Sequence, residues 1–419
     1  MKYYDVKNTF IKIERMMAML YEPAEKTDLG NIAILIMHSD GDYLNFVPGP
    51  ELAKRGYITL CANVVGASKP LDEKLLDVKA AVEYLKAMPG IQKVIILGHS
   101  GGATLMSCYQ AVAENGNSFY QDGTRIVDME NVGVLPKADG FLCIDSNWGN
   151  GAMTLLSIDP AVEDERGVRM RDPELDIFNP QNGYDPEGSH YSEAFIRKFM
   201  SAQKERGKRL IHAALGRLQA IRSGEGFFSD DEPLIIPEGD QIAPNNRLFP
   251  EDISLVSHTK GKWPLIHGDG SISEEIVHSV RRPLGEKSWA DKYHGGALVT
   301  SVRTFLSSQA VYAGEGYYID ESGIYGIDYD SSYCCTPGNA EHIHVPLLIM
   351  GMTAGYEFMA AEEIYRHAAS EDKTMAFVSG LNHPLKVAKN CEKYPGEFGD
   401  PVLPMFDYIS EWIQKRYLD

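Results

Sequence analysis

The amino-acid sequence predicts an α/β fold in which helices cover both faces of a mostly parallel sheet. Short, continuous apolar runs, such as residues 31–37 (NIAILIM) and 94–97 (VIIL), are typical of strands buried on both faces. Between these runs, residues 73–87 repeat apolar side chains at helical spacing, and Pro89 and Gly90 then stop the helix. Alternation of buried strands with amphipathic helices indicates a parallel sheet, because parallel strands need a crossover connection.

The same alternation continues on both sides of this region and gives the other core elements. It breaks after about residue 150 and resumes near residue 345. Strands are predicted at 10–20 (one strand or a pair), 57–62, 140–144, 345–350 and 374–378, and helices at 50–55, from the 94–97 strand to about 114, at 360–369 and at 403–417.

The long block between the two core parts has a different composition. It contains helix-like segments at 191–221 and 286–311, a tyrosine-rich stretch at 312–333, and loops rich in Gly, Pro, Asp and Asn. A block of this length is too long for a loop inside a compact domain, and both of its ends join sheet strands. We therefore expect an inserted, mainly helical cap. The predicted division is a first core part at 1–149, the cap at 150–340 and a second core part at 341–419.

Composition excludes some classes of partner. The 419 residues include 59 acidic and 40 basic side chains, and the formal net charge is −19. This charge disfavours nucleic acids and anionic membranes, both of which need basic patches. The sequence has no signal-peptide-like start and no apolar run of about 18 residues that could span a membrane. The six cysteines form no CxxC pair, so we expect a reduced, cytoplasmic protein.

The motif that indicates chemistry lies at residues 94–106 (VIILGHSGGATLM). It is a G-x-S-x-G sequence between an apolar strand and a helix-like segment, the setting of a nucleophile elbow. Gly98 and Gly102 allow strand and helix backbones to approach closely at such a turn. Ser100 is therefore the predicted nucleophile, exposed at the carboxyl end of the sheet. The free N–H groups of the following helix would face the negative charge that develops there.

A serine nucleophile needs a base and an oxyanion hole. The predicted base is His383, which lies in FVSGLNHPLK just after the last predicted strand. Gly101, the residue after the nucleophile, is predicted to give one oxyanion N–H. The backbone of Asp40, with Ser39 beside it in the loop at 38–42, is predicted to give the other. Ser39 and Asp40 replace the glycines of the familiar His-Gly-Gly form, so the Asp40 carboxylate has to point away.

The acid that orients the base has two candidates. The usual place follows the strand at 345–350, but no carboxylate stands at the tight turn near Ala354, and Glu357 comes slightly late. Asp145 comes at the end of the strand at 140–144, beside the nucleophile strand, and needs no unusual loop. We favour Asp145 narrowly and keep Glu357 as the alternative.

With the elbow and the chain order Ser100, acid, His383, the sequence resembles the α/β-hydrolase superfamily over residues 1–150 and 340–419. The resemblance implies an esterase-like serine hydrolase with a large cap inserted after the sixth strand. It implies no cofactor and no metal. Serine at the elbow argues against the dehalogenase and epoxide hydrolase branches, which have aspartate there.

These observations predict hydrolysis of an ester or lactone-type bond in a small or medium organic molecule. The reaction would pass through an acyl-enzyme on Ser100, with His383 as base and the cap setting specificity. Amide, peptide or carbon–carbon bond hydrolysis would use the same residues. A non-catalytic binding protein is a third interpretation, which the atypical loop at 38–42 favours. The expected partner is a small-molecule substrate, and the sequence leaves open whether the chain forms a homo-oligomer.

Overall fold

Strands from both ends of the chain and from the block between them form the sheet that supports the site. The structure is a computed structural model that describes residues 1–166, 170–239, 246–284 and 296–418. Its strands are, in chain order, β1 (Val6–Ile13), β2 (Met16–Pro23), β3 (Ile32–His38), β4 (Ile58–Asn63), β5 (Lys93–Ser100), β6 (Gly140–Ser146), β7 (Pro233–Pro237), β8 (His258–Ile266), β9 (Ile272–His278), β10 (Ala297–Ser301), β11 (Tyr312–Asp320), β12 (Gly323–Asp328), β13 (Leu347–Met352) and β14 (Lys373–Val378).

The central sheet has ten of these strands, in the order β1-β2-β4-β3-β5-β6-β13-β14-β8-β9. All neighbours from β4 to β8 are parallel, while β2 is antiparallel to both of its neighbours and β9 is antiparallel to β8. From β1 to β14 this is the strand order of the α/β-hydrolase fold, in which the second strand runs against the rest. The predicted fold class is confirmed.

Helices cover both faces of the sheet, as predicted. Successive strand residues alternate between two hydrophobic cores: Ile34 belongs to the core beneath the first and last helices, and Leu35 to the core on the other face. This alternation explains why the central strands are apolar throughout. The helices are α1 (Pro48–Lys54), α2 (Leu71–Ala87), α3 (Gly101–Asn115), α4 (Asn150–Ser157), α5 (Glu193–Arg222), α6 (Val302–Ser308), α7 (Thr336–Ala340), α8 (Phe358–His367) and α9 (Val402–Tyr417).

The connection between β6 and β13, residues 147–346, is here called the inserted segment. It contains α4 to α7 and also β7 to β12, so the expectation that it is mainly helical is not confirmed. Two of its strands extend the central sheet, because β8 pairs in parallel with β14 and β9 pairs with β8. Glu362 of α8 holds β8 in place by accepting hydrogen bonds from the N–H groups of Lys260 and Gly261 and from Trp263 Nε1.

The predicted helix at 286–311 is also wrong over most of its described part. Residues 297–301 form β10, which pairs with β7, and only 302–308 are helical. The residues at 286–295 lie outside the described part of the chain. Val299 and Thr300 are β-branched, and Val299 lies opposite Ile235 across the pair, so strand pairing replaces the helix that the spacing indicated.

The cysteines are free thiols, and all but Cys391 are buried. Buried free cysteines such as Cys61, Cys108 and Cys143 act as small apolar side chains. No helix in the described ranges has the length and hydrophobicity that crossing a membrane requires.

Candidate active site

The turn between β5 and α3 has the backbone of a nucleophile elbow. Ser100, which ends β5, has φ 55° and ψ −132°, a strained conformation for a residue with a side chain. A Cβ added to Gly98 would lie 2.5 Å from Ala103 Cα, and one added to Gly102 would lie 2.4 Å from Met37 O. These contacts explain the glycines, because strand and helix backbones meet there with no room for a side chain.

The structure brings His383 and Asp145 together. His383 Nδ1 lies 2.7 Å from Asp145 Oδ2, and Asp145 Oδ1 accepts a hydrogen bond of 2.8 Å from the Met352 N–H. Asp145 is buried, with both carboxylate oxygens engaged. This arrangement favours Asp145 as the residue that orients the His383 ring.

A bulge in the sheet explains how Asp145 reaches His383. Along β5 and β6, His99 is opposite Ile144, whereas Ser100 is opposite Ser146, so Asp145 is an extra residue. Its φ of 42° lies in the left-handed region. A bulged residue re-aims its side chain, which here points to the last amide of β13 and to the loop after β14 instead of into the sheet.

Glu357 lies near the pair but does not replace Asp145. Its buried carboxylate accepts a 3.2 Å hydrogen bond from the Tyr356 N–H. Among the described residues it makes no hydrogen bond to His383. Burial alone would lower the pKa of His383, but the charge of Glu357 and the hydrogen bond and charge of Asp145 raise it to about 9. Glu357 therefore acts on the imidazole through its charge.

Ser100 and His383 lie at the same end of the sheet. The ring of His383 packs against that of His99, the residue before Ser100, with 4.5 Å between ring centroids. Within the described ranges, Ser100 Oγ makes no hydrogen bond and is partly exposed. A hydroxyl that is not engaged elsewhere is available to a substrate.

The two predicted oxyanion donors differ in their surroundings. Gly101 begins α3, and a Cβ there would lie 2.7 Å from Ser39 Oγ and 2.9 Å from Asn150 Oδ1. The N–H of Asp40 is directed at His38 Nδ1, at 3.2 Å, and its carboxylate also turns to that nitrogen, at 2.9 Å. The carboxylate thus points at His38. To donate to an oxyanion, the Asp40 N–H would have to be shared between that oxyanion and His38 Nδ1. Its assignment stays a prediction.

Burial would raise the pKa of the Asp40 carboxyl, but the hydrogen bond and charge of His38 outweigh it and lower that pKa. Asp40 is therefore a carboxylate at neutral pH.

Sequence reasoning missed His99 and Tyr43. His99 is buried, and its ring nitrogens contact the Tyr43 hydroxyl at 2.6 Å and the His383 carbonyl oxygen at 2.7 Å. His99, Asp145 and His383 have potential metal-ligand atoms within 4.8 Å of one another. Their hydrogen bonds to each other already engage these atoms, so the cluster fits a hydrogen-bonded triad with a supporting histidine better than a metal centre.

The solved structures that resemble this chain share little of its sequence. No protein-family model matches the chain. No curated protein matches it. A hypothetical protein from Pseudomonas aeruginosa is 12% identical with a TM-score of 0.43, over 99% of this chain and 94% of that one. Est1E from Butyrivibrio proteoclasticus is 10% identical with a TM-score of 0.41, over 98% and 99%. Esterase B from Lactobacillus rhamnosis is 10% identical with a TM-score of 0.39, over 98% and 88%.

The strand order and the elbow decide the assignment. The central sheet is mostly parallel and has an antiparallel second strand. A strained turn at Ser100 joins β5 to α3. The predicted nucleophile, acid and base come in the chain order Ser100, Asp145, His383, which is the superfamily order. The chain has the α/β-hydrolase fold.

Proposed function

We propose that the protein is a serine hydrolase that cleaves an ester or lactone-type bond in a small or medium organic molecule. The observation that supports this most directly is the 2.7 Å contact between His383 and buried Asp145, beside a serine in elbow conformation. A serine in a strained turn, next to an imidazole fixed by a carboxylate, is the arrangement that activates a hydroxyl.

The reaction begins with His383 Nε2 taking the proton of Ser100 Oγ while that oxygen attacks the carbonyl carbon. The Nδ1–H of His383 donates to Asp145 Oδ2, which fixes the ring and stabilises the imidazolium that forms. The N–H of Gly101, at the start of α3, donates to the oxyanion, and the helix dipole adds to this stabilisation. The imidazolium then protonates the leaving group.

The second half of the reaction releases the acyl group from Ser100. His383, neutral again, takes a proton from water, and the resulting nucleophile attacks the acyl carbon. The tetrahedral intermediate uses the same oxyanion donor, the imidazolium returns its proton to Ser100 Oγ, and the intermediate collapses to the carboxylic acid and free Ser100. No step requires a group from outside the chain other than substrate and water.

A fluorophosphonate probe tests this proposal, because it phosphonylates activated serines. We expect labelling of the wild type and none of Ser100→Ala. Ser107→Ala is the matched control, since Ser107 lies on the same helix but donates to the Thr104 carbonyl. Peptide mapping should place the label on Ser100. A wild type that stays unlabelled, or a labelled Ser100→Ala, would refute the nucleophile assignment.

Product analysis then identifies the bond. A panel of esters, lactones, anilides, peptides and diketones should show turnover of the esters or lactones, abolished in Ser100→Ala. Turnover confined to anilides, peptides or diketones would replace the proposed bond class while keeping the nucleophile.

A further inference from the structure

The histidine inside the elbow has contacts that the basic reaction does not require. His99 directly precedes Ser100 and is buried. One ring nitrogen, Nδ1, lies 2.6 Å from the Tyr43 hydroxyl, and the other, Nε2, lies 2.7 Å from the carbonyl oxygen of His383. We propose that His99 is a positioning residue that holds the backbone of His383, and that Tyr43 in turn fixes His99. This inference rests on the proposed function.

The partners determine the tautomer of His99. A carbonyl oxygen can only accept, so Nε2 carries the hydrogen and donates to His383. In the neutral ring Nδ1 is then an acceptor, and the Tyr43 hydroxyl donates to it. Burial and the nearby charge of His383 lower the pKa of His99, which keeps the ring neutral. Both nitrogens are thus satisfied in one orientation.

The contact joins three segments that are far apart in the chain. Tyr43 belongs to the loop after β3, where its ring packs on Phe46 at 4.3 Å and on His38 at 4.6 Å between centroids. His99 belongs to the elbow, and His383 to the loop after β14. Because close backbone contacts fix the elbow, a donor on it is a rigid reference point for the His383 loop.

Two hydrogen bonds therefore define the position of His383. Asp145 sets the rotation of the ring through Nδ1, and His99 sets the place of the backbone from which the side chain extends. The ring of His99 also contacts the ring of His383, at 4.5 Å between centroids. Loss of the His99 donor would leave a carbonyl unpaired and let the loop move, and a displacement of about 1 Å at a catalytic group costs about 100-fold in rate.

Substitutions separate the donor from the ring. His99→Gln keeps a hydrogen-bond donor, because the glutamine amide nitrogen can take the place of His99 Nε2. His99→Phe keeps an aromatic ring but has no donor. We expect His99→Phe to lower kcat by roughly 10- to 100-fold with little change in KM, since positioning affects the reacting atoms. His99→Gln should recover most of that loss. Tyr43→Phe, which leaves both rings in place, should give a smaller decrease in kcat.

Tyr21→Phe is the matched control. Tyr21 donates to the Leu44 carbonyl at 2.8 Å, so its hydroxyl holds the loop that contains Tyr43. Among the described residues it makes no hydrogen bond to His99. We expect its kcat to equal that of the wild type. Equal losses in Tyr21→Phe and Tyr43→Phe would show that a loosened loop, and not the contact with His99, causes the effect.

A measurement without turnover distinguishes this inference from the proposed function. The His383 Nδ1–H bonded to Asp145 should give a low-field proton resonance, present in the wild type and His99→Gln and broadened by exchange in His99→Phe. An unreactive wild type would overturn the proposed function, while this comparison would still test the role of His99. Wild-type kcat and an unchanged resonance in His99→Phe would overturn the inference. If circular dichroism shows that His99→Phe is unfolded, Tyr43→Phe takes its place. Wild-type kcat and an unchanged resonance in Tyr43→Phe would then overturn the inference.

Discussion

At the scale of single residues, the pairing of His383 with Asp145 favours Asp145 over Glu357 as the predicted acid. We expect Asp145→Asn to lower kcat by roughly 10⁴-fold, because an amide no longer fixes the required tautomer of the base. Glu357→Gln should lower it far less, since Glu357 does not bond to His383 among the described residues. Steady-state kinetics on one ester substrate measures both. A Glu357→Gln variant as impaired as Asp145→Asn would contradict the assignment.

The same two carboxylates determine the pH dependence. His383 must be neutral to accept the Ser100 proton, and its pKa is raised to about 9. The value of kcat/KM should therefore rise with pH and reach half its maximum near pH 9. Glu357→Gln removes a negative charge that favours the imidazolium, so the midpoint should move to lower pH. Glu371→Gln, at an exposed position, is the control and should leave it in place. A midpoint unchanged by Glu357→Gln would exclude the electrostatic role.

Residue patterns predicted some of this site and could not predict the rest. Ser100 and His383 are predicted because a motif and a strand end mark them, and Asp145 is predicted because it ends a strand beside the nucleophile strand. The bulge that aims Asp145 depends on the register between β5 and β6, which the sequence does not display. The role of His99 depends on a backbone carbonyl 284 residues away, and no side-chain pattern encodes such a partner.

At the scale of elements, the β5–α3 turn depends on two glycines that have no space for a side chain. In Gly98→Ala the new Cβ would meet backbone atoms of Ala103 at 2.5 Å, which only a shift of strand or helix can relieve. We expect a loss of about 1–3 kcal/mol in the free energy of unfolding, the range for overpacking, and lower activity. Urea unfolding monitored by circular dichroism measures the change.

Gly216→Ala is a control for which we expect the opposite change in the free energy of unfolding. Gly216 is exposed on α5, and a Cβ there meets nothing within 4 Å. Gly216→Ala should raise the free energy of unfolding by up to about 1 kcal/mol, because alanine has the higher helix propensity. A Gly98→Ala variant as stable as the wild type would mean that the close approach at the elbow is not a constraint.

Elements of the core were easier to predict than those of the inserted segment, for a physical reason. Core strands are buried on both faces, so their apolar runs are unmistakable. Strands β8 and β9 lie at an edge of the sheet and are largely polar, and their place is decided by pairing with β14. Nothing within residues 258–278 specifies that partner, so the sequence indicated an inserted cap where part of the segment extends the core sheet.

At the scale of the whole molecule, hydrogen bonds join the inserted segment to the core at several separate places. Besides the pairing of β8 with β14, Thr304 donates to the Ser68 carbonyl. The side-chain amide of Asn339 donates to Ser107 Oγ and accepts from the Tyr120 hydroxyl. These bonds connect the segment to the loop before α2, to α3 and to the residues after α3. Contacts between the inserted segment and the core therefore stabilise both parts.

Shared contacts predict that the two parts unfold together. Trp263 on β8 and Trp412 on α9 report on the inserted segment and on the core, and Trp412 donates to Thr374 of β14. The sequence has four tryptophans, so two single-tryptophan variants are needed, one that keeps only Trp263 and one that keeps only Trp412. Urea titrations of each, followed by fluorescence and by circular dichroism, should give one transition with coincident midpoints. A cap that folds independently would instead give two separated transitions, with the Trp263 signal changing apart from that of Trp412. Because β14 pairs with β8 and leads into the loop of His383, probe labelling of Ser100 should be lost at the same urea concentration as the fluorescence signal.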